Sequence, residues 1–178
     1  MESERVQMAN SVLHDLSLLN GIEQWHSVDD IVVGGSSHSS LSEGDAGSIV
    51  FSGTICCDRG SGYASIRSIT NLFDLSRYPG ITIKVKGDAR RYKLSLRCAT
   101  DFEGIAYRVG FQTRKGLEQT IRFRWDAFLP TYQDRVLAAA PPLDPSEIRS
   151  VGLVVSSQES GSFRLEILQI DVNTKRLL

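Results

Sequence analysis

Few features of this chain announce chemistry. Its 178 residues include only three cysteines, Cys56, Cys57 and Cys98. An odd count with two neighbours cannot build a disulfide framework, and the C-x-x-C spacing of redox and zinc sites is missing. Reduced, buried thiols are the expectation. No apolar run approaches the ~20 residues of a membrane span. Residues 1–12 have no basic patch leading into an apolar one, so no secretory signal is expected. Neither sign of charge is in excess: the net charge is −1, which argues against a polyanion-coating protein. Proline is scarce as well, and all five prolines fall between apolar runs, where they cannot break a strand.

Catalytic and phosphate-binding signatures are likewise missing. No G-x-x-x-x-G-K-[ST], G-x-G-x-x-G or G-x-S-x-G occurs around Gly34-Gly35-Ser36-Ser37-His38-Ser39-Ser40. A histidine flanked by serines is not a nucleophile–base pair, so this stretch reads as a tight loop. His14, His26 and His38 lack Cys or carboxylate neighbours at ligand spacing. Asp29-Asp30 has no D-x-D-x-D-G context for calcium. The two carboxylates are expected to accept backbone N–H bonds at the Gly34-Gly35 turn, with a structural cation as the alternative. No cofactor, metal or catalytic residue is expected.

What is present is periodicity. Over residues 3–20, Val6, Ala9, Leu13 and Leu16 recur at helical spacing, with Ser3 as N-cap and Asn20-Gly21 as stop. This predicts a short amphipathic helix as an appendage (1–21), followed by one β-sandwich domain (22–178). From Ile22 onward short apolar alternations replace the helical period. They cover 31–33, 48–52, 63–68, 81–86, 91–99, 106–111, 120–125, 151–156 and 163–172, without intervening helices. Such a series predicts an all-β sandwich or barrel.

The charge is unevenly spread. Residues 1–76 hold ten acidic and three basic side chains; residues 77–124 hold four and twelve. In that basic stretch Ile81–Ala99 reads as two strands around a Gly87-Asp88 turn, with Gly87 supplying a positive φ. Ile83, Val85, Tyr92 and Leu94 face one way; Lys84, Lys86, Arg91, Lys93 and Arg97 face the other. If the strand at 121–125 joins the same sheet, Arg122 and Arg124 extend one basic face to seven residues. Charge without rings is a poor platform for sugars or single-stranded nucleic acid. It suits an acidic protein surface, where Arg binds carboxylates in bidentate fashion. No nucleic-acid partner is expected.

Several motifs occur together. Trp25 leads into Val28-Asp29-Asp30-Ile31-Val32-Val33-Gly34-Gly35-Ser36-Ser37. Phe51-Ser52-Gly53 and Gly62-Tyr63-Ala64-Ser65-Ile66-Arg67 follow, then Val85-Lys86-Gly87-Asp88, Arg91-Tyr92-Lys93-Leu94, Trp125, Phe128-Leu129-Pro130-Thr131 and Gly161-Ser162-Phe163-Arg164-Leu165. In order and spacing, over residues 25–172, this series resembles the complex I intermediate-associated protein domain, and most closely the short cyanobacterial and plastid forms. The resemblance implies a galactose-binding-like jelly-roll β-sandwich. Trp25, Asp29, Asp30, Gly34, Gly35, Gly53, Arg67, Gly87, Asp88, Tyr92 and Trp125 would be its structural motif residues. It further implies a non-catalytic assembly factor docking on protein subunits or intermediates of a bioenergetic membrane complex, either an NADH dehydrogenase or a photosystem or light-harvesting complex. Such a protein would work in the cytoplasm, stroma or matrix, peripheral to the membrane through its partners. The alternative on the same fold is a carbohydrate-binding module.

Overall fold

A computed structural model describes residues 12–98 and 104–174. Among the described residues twelve strands form two antiparallel sheets packed face to face, which is the sandwich that the alternations predict. The strands are β1 (Trp25–Ser27), β2 (His38–Glu43), β3 (Ile49–Ile55), β4 (Gly62–Ser68), β5 (Gly80–Lys86) and β6 (Arg91–Arg97). They continue with β7 (Ala106–Gln112), β8 (Glu118–Arg124), β9 (Leu129–Tyr132), β10 (Arg135–Val136), β11 (Ser150–Ser157) and β12 (Gly161–Val172). One sheet has seven strands in the order β1-β4-β11-β6-β7-β9-β10. The other has five, β2-β3-β12-β5-β8.

Alternation decides which side chains lie between the sheets. Ile81, Ile83 and Val85 of β5, Tyr92, Leu94 and Leu96 of β6, and Val151, Leu153 and Val155 of β11 all belong to one buried core. A chain of rings ties the sheets together: Tyr92–Phe111 at 6.0 Å, Phe111–Phe123 at 6.0 Å and Phe123–Phe128 at 6.1 Å between centroids. Each such contact contributes about 0.5–1.5 kcal/mol beyond the burial of the rings.

The stretch Ile81–Ala99 is not a hairpin. β5 belongs to the five-stranded sheet and β6 to the seven-stranded one, so Gly87-Asp88 is a crossover between layers. Gly87 is not the residue with positive φ; Ala89 is, at 77°. Gly87 is required for space, because a Cβ there would lie 2.2 Å from Thr113 Cβ. Asp88 fixes the corner by accepting from Arg90 N (3.0 Å), Tyr92 Oη (3.1 Å) and Arg164 N (2.8 Å). The error has a physical origin: a four-residue link between alternating strands satisfies a hairpin and a layer crossover equally, and sequence does not reveal which strand pairs with which.

The helix predicted over 3–20 is not shown. Residues 1–11 lie outside the described residues, and over 12–20 the chain is pinned by partners. Leu13 N–H donates to Leu72 O at 2.8 Å and Leu13 bridges Phe73. Only Ser17–Asn20 turns, as 3-10. Leu16 and Leu19 are fully buried in the core, and the Asn20 side chain both accepts from Ile170 N (3.0 Å) and donates to Ile170 O (3.3 Å). Over residues 12–20 tertiary pairing has overridden the local helical pattern. Among the described residues every helical segment is a 3-10 turn of three or four residues.

Candidate functional site: the outer face of the seven-stranded sheet

Outward-facing residues of neighbouring strands line up in rows. One row runs His26 (β1), Arg67 (β4), Gly152 (β11), Ser95 (β6), Arg108 (β7) and Leu129 (β9). The next holds Ser65, Val154, Lys93 and Gly110. Gly152 and Ser95 form a low floor, and arginines rise on both sides of it. Burial first, and then the positive charge of Arg108, holds the Arg67 guanidinium below its ordinary value. His26 is held below its ordinary value by burial and then by Arg67. Asp134, in the β9–β10 turn, pairs with Arg108 Nη1 and, at 3.1 Å, with Lys93 Nζ. The Arg108 Nε is buried without a hydrogen-bond partner. Tyr63 closes the β4 side, and burial, then the charge of Asp30, raises its phenol.

The basic residues singled out from the sequence do not share one surface. Arg91, Lys93 and Arg97 face outward from the seven-stranded sheet. Arg97 is nonetheless buried there, and its Nη1 donates to Gly104 O at 2.9 Å. Lys84, Lys86, Arg122 and Arg124 lie on the opposite side of the molecule, on β5 and β8. There Lys84 pairs with Glu118 at 3.0 Å and Arg124 with Asp126 at 3.0 Å. Arg108 was missed because its strand, Ala-Tyr-Arg-Val-Gly-Phe, carries one charge amid apolar residues. Only the register with Ser95 and Lys93 brings it to the site.

The Asp29-Asp30 pair does accept backbone N–H bonds, but from partners more distant than the Gly34-Gly35 turn. Asp30, buried, takes Ser37 N (2.9 Å), Ser37 Oγ (2.8 Å) and Tyr63 N (3.0 Å). Asp29 takes Ser39 N (2.6 Å), Ser39 Oγ (2.8 Å) and Ser65 N (3.2 Å). Gly34 adopts φ 85°, and a Cβ on Gly35 would lie 2.3 Å from Asp30 Cγ, so the Gly-Gly pair is what lets the chain fold back over the carboxylate. Ser37 points at Asp30 while His38 stands exposed on the outer face of the five-stranded sheet, so the two do not form a nucleophile–base pair. Ile31–Val33, expected as a strand, is a 3-10 turn spanning Asp30–Val33.

The remaining motif residues are architectural. Trp25 is buried, with Nε1 donating to Leu19 O at 2.8 Å; Trp125 is half-buried and donates to Tyr78 O at 2.6 Å. Gly53 of β3 lies opposite Ser39 of β2. Cys98 is half-buried, and its thiol is pushed up to about 11 by burial, far from a reactive thiolate. Among the described residues no three His, Cys, Asp or Glu side chains group as metal ligands, and no helix is long and apolar enough to cross a membrane.

The two-sheet jelly-roll sandwich is a fold that this chain shares with carbohydrate-binding modules. The family 11 module of the cellulase Lic26A-Cel5E from Clostridium thermocellum superposes with a TM-score of 0.67 at 19% identity, covering 92% of this chain and 96% of that one. A structure of the family 11 module in complex with a β-1,3-1,4-mixed-linked tetrasaccharide gives 0.66 at 17%, covering 92% and 97%. At such identity the likeness shows the fold alone. Sequence assigns the family: residues 14–167 match complex I intermediate-associated protein 30, and the chain belongs to that family. A relative in Schizosaccharomyces pombe, itself uncharacterised, is 30% identical over 180 residues, covering 87% of this chain and 82% of its own length.

Proposed function

We propose that this chain is a non-catalytic accessory protein that docks on subunits or assembly intermediates of a complex I-type NADH dehydrogenase. The observation that carries the reading is the family match, which spans β1 to the middle of β12. The chemistry of the seven-stranded face supports it. Cations held on rigid strands over a Gly-Ser floor suit carboxylates of a partner protein. The carbohydrate-module reading draws on the fold. It is weaker because the outward rows of β4, β11, β6 and β7 contain one aromatic ring, Tyr63, where stacking on a sugar chain needs several.

Affinity capture from membranes of the source cell tests the reading. The native chain brings down dehydrogenase subunits. Lys93→Glu with Arg108→Glu lowers their yield at least about tenfold, as like charges across an interface should. Arg122→Glu with Arg124→Glu, on the opposite sheet, leaves the yield unchanged. A native chain that captures no dehydrogenase subunit overturns the assembly reading, and capture of photosystem or light-harvesting subunits moves the client to photosynthesis. Loss through the second pair alone moves the docking face to the five-stranded sheet.

A further inference from the structure

The loops at the two ends of the sandwich differ in kind. At one end lie the loops 28–37, 56–61, 87–90, 113–117 and 158–160. Ile31, Val32 and Val33 are 60%, 68% and 68% exposed there, and Leu117 is 55% exposed at the far corner. Ile31–Val33 is the longest run of exposed large apolar side chains among the described residues. An unsupported loop of this kind would fold back on its own surface to shed water. This one is held out, because six N–H and hydroxyl groups donating to Asp29 and Asp30 fix its base and Gly34 N closes it on Ile31 O at 3.0 Å. The Leu117 corner is pinned too: Gly116 N donates to Gly87 O at 2.9 Å and Thr113 Oγ1 to Arg90 O at 2.7 Å.

Between and beside these two apolar corners stand Arg59, Lys86, Arg91, Arg114 and Lys115, all exposed. Of the exposed acids at this end, Asp58 is engaged by Ser36 and Glu118 by Lys84; Glu159 is the third. The opposite end is acidic. Glu43, Asp45, Asp126, Asp144, Glu147 and Asp171 are exposed there, against Arg77, Arg124 and Arg149. Among the described residues, charge is therefore polarised along the strands, with rigid apolar tips on the basic end.

We propose that this end docks directly on an anionic lipid bilayer, with Ile31–Val33 and Leu117 entering the headgroup–acyl boundary and the flanking cations meeting lipid phosphates. Branched aliphatics beside Arg and Lys are the composition of an interfacial anchor. An apolar groove on a partner protein would explain the tips but not the segregation of charge to the two ends. The inference goes beyond the docking reading and does not depend on it, since its test needs only the chain and lipid.

The test is flotation of the full chain with vesicles of phosphatidylcholine alone and with about one-third phosphatidylglycerol, an anionic lipid. The chain floats with the anionic vesicles, and binding weakens as salt is raised. Replacing Ile31, Val32 and Val33 together by Ser lowers partitioning by about tenfold or more. Arg114→Gln with Lys115→Gln lowers it about thirtyfold, while Arg77→Gln at the acidic end changes nothing. All of these side chains are exposed, so melting temperatures confirm that each variant is folded. The proposal fails if the native chain stays in solution, if neutral vesicles bind it equally, or if the tip variant floats like the native chain. If vesicles bind nothing while the tip variant loses a protein client, a protein groove takes the tip and the lipid proposal falls.

Discussion

Aspartates at the two ends of the sandwich do different work with the same side chain. At the basic end Asp30 is buried and takes three hydrogen bonds from two separate segments, Ser37 and Tyr63. At the acidic end Asp15, Asp74 and Asp144 each bond the serine two residues ahead, through both its backbone N–H and its hydroxyl. The first arrangement joins distant parts of the fold, whereas the second shapes one turn. Burial and reach, not the number of hydrogen bonds, should therefore decide what each carboxylate contributes.

The strongest test of this contrast is Asp30→Ala. It strands the N–H groups of Ser37 and Tyr63 in a buried site, so unfolding in urea should show a loss of about 3 kcal/mol. The same variant should release the Ile31–Val33 tip, seen as faster amide exchange over residues 31–36. A loss as small as that of an exposed turn would end the distinction.

A smaller effect is expected from acid. The serine hydrogen bonds hold Asp15, Asp74 and Asp144 below the ordinary carboxylate value of 3.8. A depressed folded value means stability that is complete above the unfolded value. It is lost as pH falls from about 3.8 through the lower folded values. Melting curves across that window should decline, and Asp144→Ala should flatten part of the decline. Tyr92 behaves in the opposite sense. Burial, and then the charge of Asp88, raises its phenol far above 10.0, so its share is intact below that pH and is lost as pH rises past it.

The smallest effect belongs to the Lys84–Glu118 pair, exposed on both sides. Glu118→Gln should change stability by no more than about 0.5 kcal/mol in urea titrations. A larger change would mean that exposure is a poor guide to worth on this surface.

Much of the fold could be read from the residues. The alternations at 63–68, 81–86, 106–111 and 163–172 fall within β4, β5, β7 and β12, because period two directly encodes one buried face. β2 is half serine with Leu41 its one apolar residue, and β9 begins Leu-Pro, so neither offered an alternation to find. Register was the larger omission. The row from Arg67 to Arg108 exists because β11, more than fifty residues further along, lies between β4 and β6. No local pattern can carry that. Ile31–Val33 misled for a related reason: three branched aliphatics look like a core strand until the carboxylates holding them outward are seen.

The place of β12 sets a schedule for the chain. It follows all other strands in sequence, yet it lies at the centre of the five-stranded sheet, between β3 and β5. Its far half runs past β3, where the Asn20 side chain meets Ile170. On a ribosome, β3 and β5 would wait side by side with their inner edges unsatisfied until this strand emerges. The sandwich therefore closes late and all at once. A nascent chain stopped before Gly161 would hold every strand of the seven-stranded sheet and still lack the closed core that supports it.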